Sequence, residues 1–247
     1  MKSINIFYLF SHSYLPMITA CPTHGLDWCR THLCMFVQKK GVRCMSILVK
    51  DCFHWIGFHI VDQLLIDGYE VKGIQTSSSK KTAHLSMFFD RHSHFSLIED
   101  ETACETDTAL LINQHTTDGI NASRFMMIGE HVDIETLTAD QIAIQQPLLF
   151  GEWMPIYEDG CYYLNDHIPF DSPRFHEQAI YIHDFTKMIV ALLKQDNLPN
   201  VINMQTVKND SILGLTLDNT YHIQDNTPIE NKLQDVLKHH KQFKHYY

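Results

Sequence analysis

The chain has 247 residues, 45% hydrophobic and 19% charged, which is apolar material enough for the core of one globular domain. Its formal net charge of -10 argues against sequence-independent nucleic-acid binding, which works by neutralising phosphates, and suits cytoplasmic solubility. No run approaches the roughly eighteen apolar residues of a membrane span. An odd count of 7 Cys fits a reducing compartment better than a disulfide framework.

Residues 1–44 hold four of those Cys and no clear amphipathic pattern, and Met45 stands directly before the first strand signal. They are expected to form an N-terminal extension outside the core, with one domain over residues 45–247. Ile18-Thr19-Ala20-Cys21 matches a lipoprotein-type cleavage box, but Ser11, His12, Ser13 and Pro16 interrupt the apolar stretch that a signal sequence needs. Cys21, His24, Cys29, His32 and Cys34 match none of the paired short spacings that preset a tetrahedral metal site, so no metal is expected there.

Met45 to Gln75 reads as strand, turn, helix, strand. Ser46-Ile47-Leu48-Val49 is a short apolar run suited to a parallel strand covered on both faces. Ile56, Ile60, Val61, Leu64 and Leu65 recur at helical spacing, Gly68 ends that helix, and Tyr69 to Ile74 alternates as the next strand. Such a tight unit implies a right-handed crossover, the building block of a doubly wound sheet. Ser77 to Lys81 reads as a solvated loop. His94–Asp100, Thr108–Asn113, Arg124–Gly129, Gln145–Gly151 and Val201–Met204 follow in chain order, each similar to a strand of one known family and expected to be a strand on that resemblance. A late helix opens at Tyr181-Ile182-His183-Asp184 with Asp184 as cap. A closing helix opens at Thr227-Pro228-Ile229-Glu230, with Ile229, Leu233, Val236 and Leu237 on its buried face.

The order of these motifs resembles that of the extended short-chain dehydrogenases/reductases, the nucleotide-sugar epimerase/dehydratase group. The resemblance implies an α/β, Rossmann-like, doubly wound parallel sheet with helices on both faces. A small, reduced substrate-side lobe is expected from about Glu152 to Arg174 and Val201 to Thr227. It also implies NAD(P) as cofactor and a nucleotide or nucleotide-sugar ligand. Lys50, Asp51, His54, Gly57 and Gln75 fall at or beside the positions that hold the cofactor.

Those positions are degenerate. Aligned on Ile56-Gly57, the three glycines of the family's phosphate turn become Asp51, His54 and Gly57. The first glycine permits the tight turn and the second lets the backbone approach the pyrophosphate, whereas the third serves packing. Gln75 replaces the carboxylate that accepts from the adenosine ribose. NAD(P) is therefore expected to bind weakly or not at all.

The catalytic parts are reduced as well. No Tyr has Lys four residues later, and Gly129 to Gln141 is too short for the helix that carries the family's Tyr-Lys pair. The family's hydroxyl residue would fall near Gly129-Glu130. Glu130 and His131 are the titratable groups left beside that strand end, and Tyr157, Tyr162 and Tyr163 form either a lid or a ligand platform. Asp90, His92 and His94 read as solvated loop residues. The leading expectation is a noncatalytic epimerase/dehydratase-like protein with a binding, scaffold or regulatory role. The alternative is an active NAD(P)-dependent epimerase, dehydratase or reductase with substitute residues. Neither names a protein partner.

Overall fold

The computed structural model describes residues 45–99, 105–114, 116–206, 219–223 and 228–247. The N-terminal extension, the lipoprotein-type box, the cysteines and histidines considered there, and the capping Thr227 lie outside these residues.

β1 (Ser46–Lys50), α1 (Trp55–Ile66) and β2 (Glu70–Ile74) form the expected unit, with β2 beside and parallel to β1 and Val49 opposite Gly73. Ile47, Leu48 and Val49 are fully buried, which explains a continuous apolar run where a one-sided strand would alternate. α1 ends as its sequence predicts. Gly68 takes φ +83, its amide donates to the Leu65 carbonyl at 3.1 Å, and the Tyr69 amide donates to the Leu64 carbonyl at 3.0 Å. This pair of bonds closes the helix with the one residue that pays no steric penalty at that φ.

Ser77, Ser78 and Ser79 form the expected exposed loop, whereas Lys80 and Lys81, read as part of it, open α2 (Lys80–Ser86). Ser79 accepts from the Thr82 amide and Thr82 Oγ1 accepts from the Ser79 amide at 2.8 Å. This is a reciprocal cap with Thr in the place where Glu or Gln gives the familiar signature. The chain continues through β3 (Phe95–Leu97), β4 (Glu105–Ile112), β5 (Asn121–Gly129), β6 (Gln141–Gln145) and β7 (Leu149–Phe150). Then come β8 (Gly160–Tyr163), β9 (Asp166–Pro169), α3 (Pro173–Gln178), β10 (Ile180–Tyr181) and α4 (Ile182–Leu193). β11 (Val201–Thr206), β12 (Thr220–Ile223), α5 (Ile229–Gln242) and a 3-10 turn (Lys244–Tyr246) complete the described elements.

Eight strands form one sheet in the order β12-β11-β6-β5-β4-β1-β2-β3, every neighbouring pair parallel. The 3-2-1-4-5-6 portion of this order is that of a doubly wound dinucleotide fold. Strand β11 lies in the main sheet, so Val201 to Thr206 does not belong to the substrate-side lobe as expected. That lobe is instead the β8–β9 hairpin with α3 beside it.

The helices are distributed unevenly. All five contribute to one apolar cluster that includes Ile47, Val49, Leu110, Met126, Ile144 and Ile202. Leu48, Ala109, Leu111, Phe125 and Met127 alternate with those residues along β1, β4 and β5. They cluster with Ile98, Val132 and Leu137 from connecting segments and with no helical residue. Among the described residues, the expectation of helices on both faces therefore holds for one face alone.

Two caps also differ from expectation. Tyr181 is the N-cap of α4 and makes no side-chain cap bond, while Asp184 sits in the first turn and accepts from Lys232 Nζ at 2.7 Å. Pro228 occupies the N-cap of α5, whose Ile229 and Val236 are buried as predicted. Among the described residues no helix is long and apolar enough to cross a membrane.

Candidate functional site

The turn after β1 is where the fold would meet a dinucleotide. Asp51 holds φ +58, the left-handed conformation reserved for the first glycine and tolerated by Asp better than by most residues. Its Oδ1 accepts from Thr76 Oγ1 at 2.6 Å and its Oδ2 from Gln114 Nε2 at 2.7 Å. One carboxylate thus ties together the C-terminal ends of β1, β2 and β4. The backbone donors of the turn are consumed as well. The Cys52 amide donates to the Ile74 carbonyl at 3.1 Å, the Phe53 amide to Gln75 Oε1 at 2.7 Å, and the His54 amide to the Asp51 carbonyl at 2.9 Å. Gln75, placed by the sequence at the ribose position, is folded back onto the turn.

Gly57 survives for the reason expected of a third glycine. A Cβ there would lie 2.3 Å from the Asp51 carbonyl oxygen, so any side chain would push α1 off the turn. Lys50 is buried at the end of β1, in register with Ile74 and Leu111, and does not line the large cleft described next.

Several cavities border this turn. A cleft of about 410 Å³ lies between the turn and the β8–β9 hairpin; Asn113, Glu130, His131, Gln146, Tyr157, Tyr162 and Tyr163 are among its walls. A smaller one of about 230 Å³ is lined by Asp51, Phe53, Gln75, Ser77 and Lys81. His54, Trp55 and Pro155 line both. A dinucleotide in this fold runs across the second glycine from one side to the other. His54 places an imidazole there, with a buried Nδ1 that has no partner. Burial first, and the nearby Lys81 second, lower its pKa to about 4, so the ring is neutral at physiological pH and offers no charge to a phosphate.

The 130–140 connection between β5 and β6 is made of turns and bends, without a helix, although the two strands are parallel. The sequence-based expectation of a missing Tyr-Lys helix is met. Glu130 and His131 do reach the cleft. Glu130 Oε2 accepts from the Leu164 amide at 3.1 Å, which commits it to holding the hairpin. Of the tyrosines, Tyr163 donates to the Gln146 carbonyl at 3.1 Å, and burial, then the Glu130 charge, raise its pKa. A proton-moving phenolate requires the opposite shift. Cys161, in the same wall and not singled out by the sequence, is pushed by burial and Glu130 up to about 11, so its thiol is not a nucleophile near neutrality. Asn113, Gln146 and Cys161 escaped the sequence reading because only the packing of the hairpin against strand ends β4 and β6 brings them together. Asp90, His92 and His94 lie in an exposed turn before β3, where the His94 amide approaches His92 Nδ1 at 3.3 Å, in keeping with their reading as loop residues.

No protein-family model matches the chain, and no curated protein sequence matches it. Solved structures do. The dTDP-glucose 4,6-dehydratase of Bacillus anthracis strain Ames, in complex with NAD, aligns at TM-score 0.52 and 10% identity over 82% of this chain and 98% of that one. Yeast methylglyoxal/isovaleraldehyde reductase complexed with NADPH aligns at TM-score 0.47 and 12% identity, over 82% and 100%. UDP-glucose 4-epimerase of Thermotoga maritima with UDP-glucose aligns at TM-score 0.45 and 13% identity, over 80% and 99%. The fold is that of the extended short-chain dehydrogenases/reductases, an epimerase/dehydratase-like Rossmann architecture. At these identities the likeness is one of fold.

Proposed function

We propose that the protein is a noncatalytic, cytoplasmic binding protein built on an epimerase/dehydratase-type fold, with NAD(P) bound weakly or not at all. The observation that carries this reading is the turn after β1. Its glycine positions hold Asp51 and His54, its amides at Cys52, Phe53 and His54 are engaged, and its carboxylate is bonded to Thr76 and Gln114. A helix start that elsewhere attracts anions here presents a negative charge and a neutral ring. The cleft of about 410 Å³ remains, with polar groups and three tyrosines in its walls, and its size suits a nucleotide or nucleotide-sugar fragment. The solved dehydratase of this fold is in complex with NAD, which supports a nucleotide as the ligand class. Binding in this cleft without turnover is a regulatory or scaffolding role.

One observation favours a second reading. Glu130, His131 and Tyr157 line the same cleft, so a substitute acid and base are available to an active NAD(P)-dependent epimerase, dehydratase or reductase. Proton exchange and product formation over a panel of nucleotide sugars, at high NAD or NADP, separate the two. The noncatalytic reading expects none from the natural chain. Turnover that disappears in a Glu130→Gln, His131→Ala double variant establishes the enzyme instead.

A further inference from the structure

Away from the cleft, His59, Glu152 and His183 each bring one ligand atom within 4.8 Å of the other two, and among the described residues no other trio of His, Cys, Asp or Glu converges in this way. His59 comes from α1, Glu152 from the segment after β7, and His183 from the first turn of α4. Three parts of the chain remote in sequence meet at one point.

The protonation pattern is set by the surroundings. His59 is 4% exposed, and its Nε2 lies 3.0 Å from the Glu152 carbonyl oxygen. That contact requires the proton on Nε2 and leaves a lone pair on Nδ1, which is buried without a partner. Glu152 Oε1 accepts from the Tyr181 hydroxyl at 2.8 Å. Its Oε2 is buried and makes no hydrogen bond, and His183 Nε2 stands 3.4 Å away. An ordinary carboxylate–histidine pair would account for His183 and for Glu152 Oε2, but it leaves the buried Nδ1 of His59 with nothing to satisfy it.

We propose that His59, Glu152 and His183 form a binding site for a divalent transition-metal cation of the zinc type, held by two imidazoles and one carboxylate oxygen with water completing the shell. Two nitrogens and one oxygen are the donors such a borderline cation takes, whereas magnesium and calcium prefer oxygen alone. Two ligands at about 2.05 Å from a tetrahedral ion are separated by roughly 3.3 Å, close to the 3.4 Å between His183 Nε2 and Glu152 Oε2. The outer contacts are those of a metal centre, with the Glu152 carbonyl fixing the tautomer of His59 and Tyr181 orienting the carboxylate. The His183 side chain is 37% exposed and provides the route in. A bound ion would staple α1 to the start of α4, the two helices that pack on each other beside the sheet.

The test uses the full chain, treated with EDTA and then titrated with zinc chloride by calorimetry, with thermal unfolding and the visible spectrum of the cobalt(II) form as further readouts. One zinc equivalent, a zinc-dependent rise in Tm and tetrahedral cobalt bands are expected, with no response to magnesium chloride. His183→Gln at the surface and the isosteric Glu152→Gln should each weaken zinc binding about 100-fold or more. A Cys21→Ser, Cys29→Ser, Cys34→Ser, Cys44→Ser variant removes the competing thiols of residues 1–44 and should bind as the natural chain does. Zinc binding unchanged in both His183→Gln and Glu152→Gln, or no binding at millimolar zinc, overturns the site.

Discussion

Asp51 and Gln114 are joined by a 2.7 Å hydrogen bond from the amide nitrogen of Gln114 to Oδ2 of Asp51. The bond links the end of β1 to the end of β4 at the rim where strand ends of this fold usually face a ligand. Asp51 serves the protein's own architecture there, and its other oxygen does the same toward Thr76.

Substitutions at Asp51 separate its two roles. Asp51→Ala loses the side-chain bonds to Thr76 and Gln114 and leaves a Cβ residue at φ +58, at an expected cost of about 3 kcal/mol. Asp51→Gly loses the same bonds but not the backbone comfort, and should be about 1 kcal/mol more stable than the alanine variant. Asp51→Asn keeps an acceptor and tolerates the conformation, so it should fall between the glycine variant and the natural chain. Urea midpoints measure all three, and equal midpoints for the alanine and glycine variants would contradict a constrained turn.

Gly57 and Gly68 should respond very differently to alanine. At Gly57 the new Cβ meets the Asp51 carbonyl oxygen at 2.3 Å, so Gly57→Ala is expected to cost about 3 kcal/mol or more. At Gly68 nothing lies within 4 Å, and only the φ of +83 opposes a side chain, at about 1 kcal/mol. Equal losses in denaturant melts would mean that α1 moves freely against the turn.

His54 predicts an acid-sensitive fold. Its pKa is near 6.5 in the unfolded chain and about 4 when folded, so its full contribution is present above pH 6.5 and is lost as pH falls from 6.5 through 4. The difference amounts to about 3 kcal/mol. A His54→Phe variant cannot take up this proton, and its stability should decline correspondingly less over that window. Parallel curves for the two proteins between pH 7 and 4 would remove His54 from the account.

Much of the sheet was legible from residues. The Ser46–Val49 run, the α1 stripe and the closing Gly68 predict the first crossover, and the short Gly129 to Gln141 segment predicts a connection without its helix. α2 was missed because Thr82 performs the reciprocal bond usually signalled by Glu or Gln. Val201–Met204 is legible as a strand, but the expectation that Val201 to Thr227 belongs to the lobe fails for β11, since its pairing with β6 and β12 is a tertiary fact that no local pattern carries. At the site, the lost glycines were readable. The fates of Asp51 and Gln75 as structural hydrogen-bond partners were not, because they depend on Thr76, Gln114 and the Phe53 amide being close in space. His183 was read as a helix start, and its meeting with His59 and Glu152 exists only once α1 and α4 pack together.

The central claim is that this phosphate turn is closed to a dinucleotide, and calorimetric titration of the purified chain with NAD and NADP addresses it most directly. The account predicts binding far weaker than the fold normally gives, improved when Asp51→Gly and His54→Gly are introduced together, because the charge, the imidazole and the clamp to Thr76 and Gln114 go with them. Tight binding by the natural chain, not strengthened by the two glycines, would contradict it.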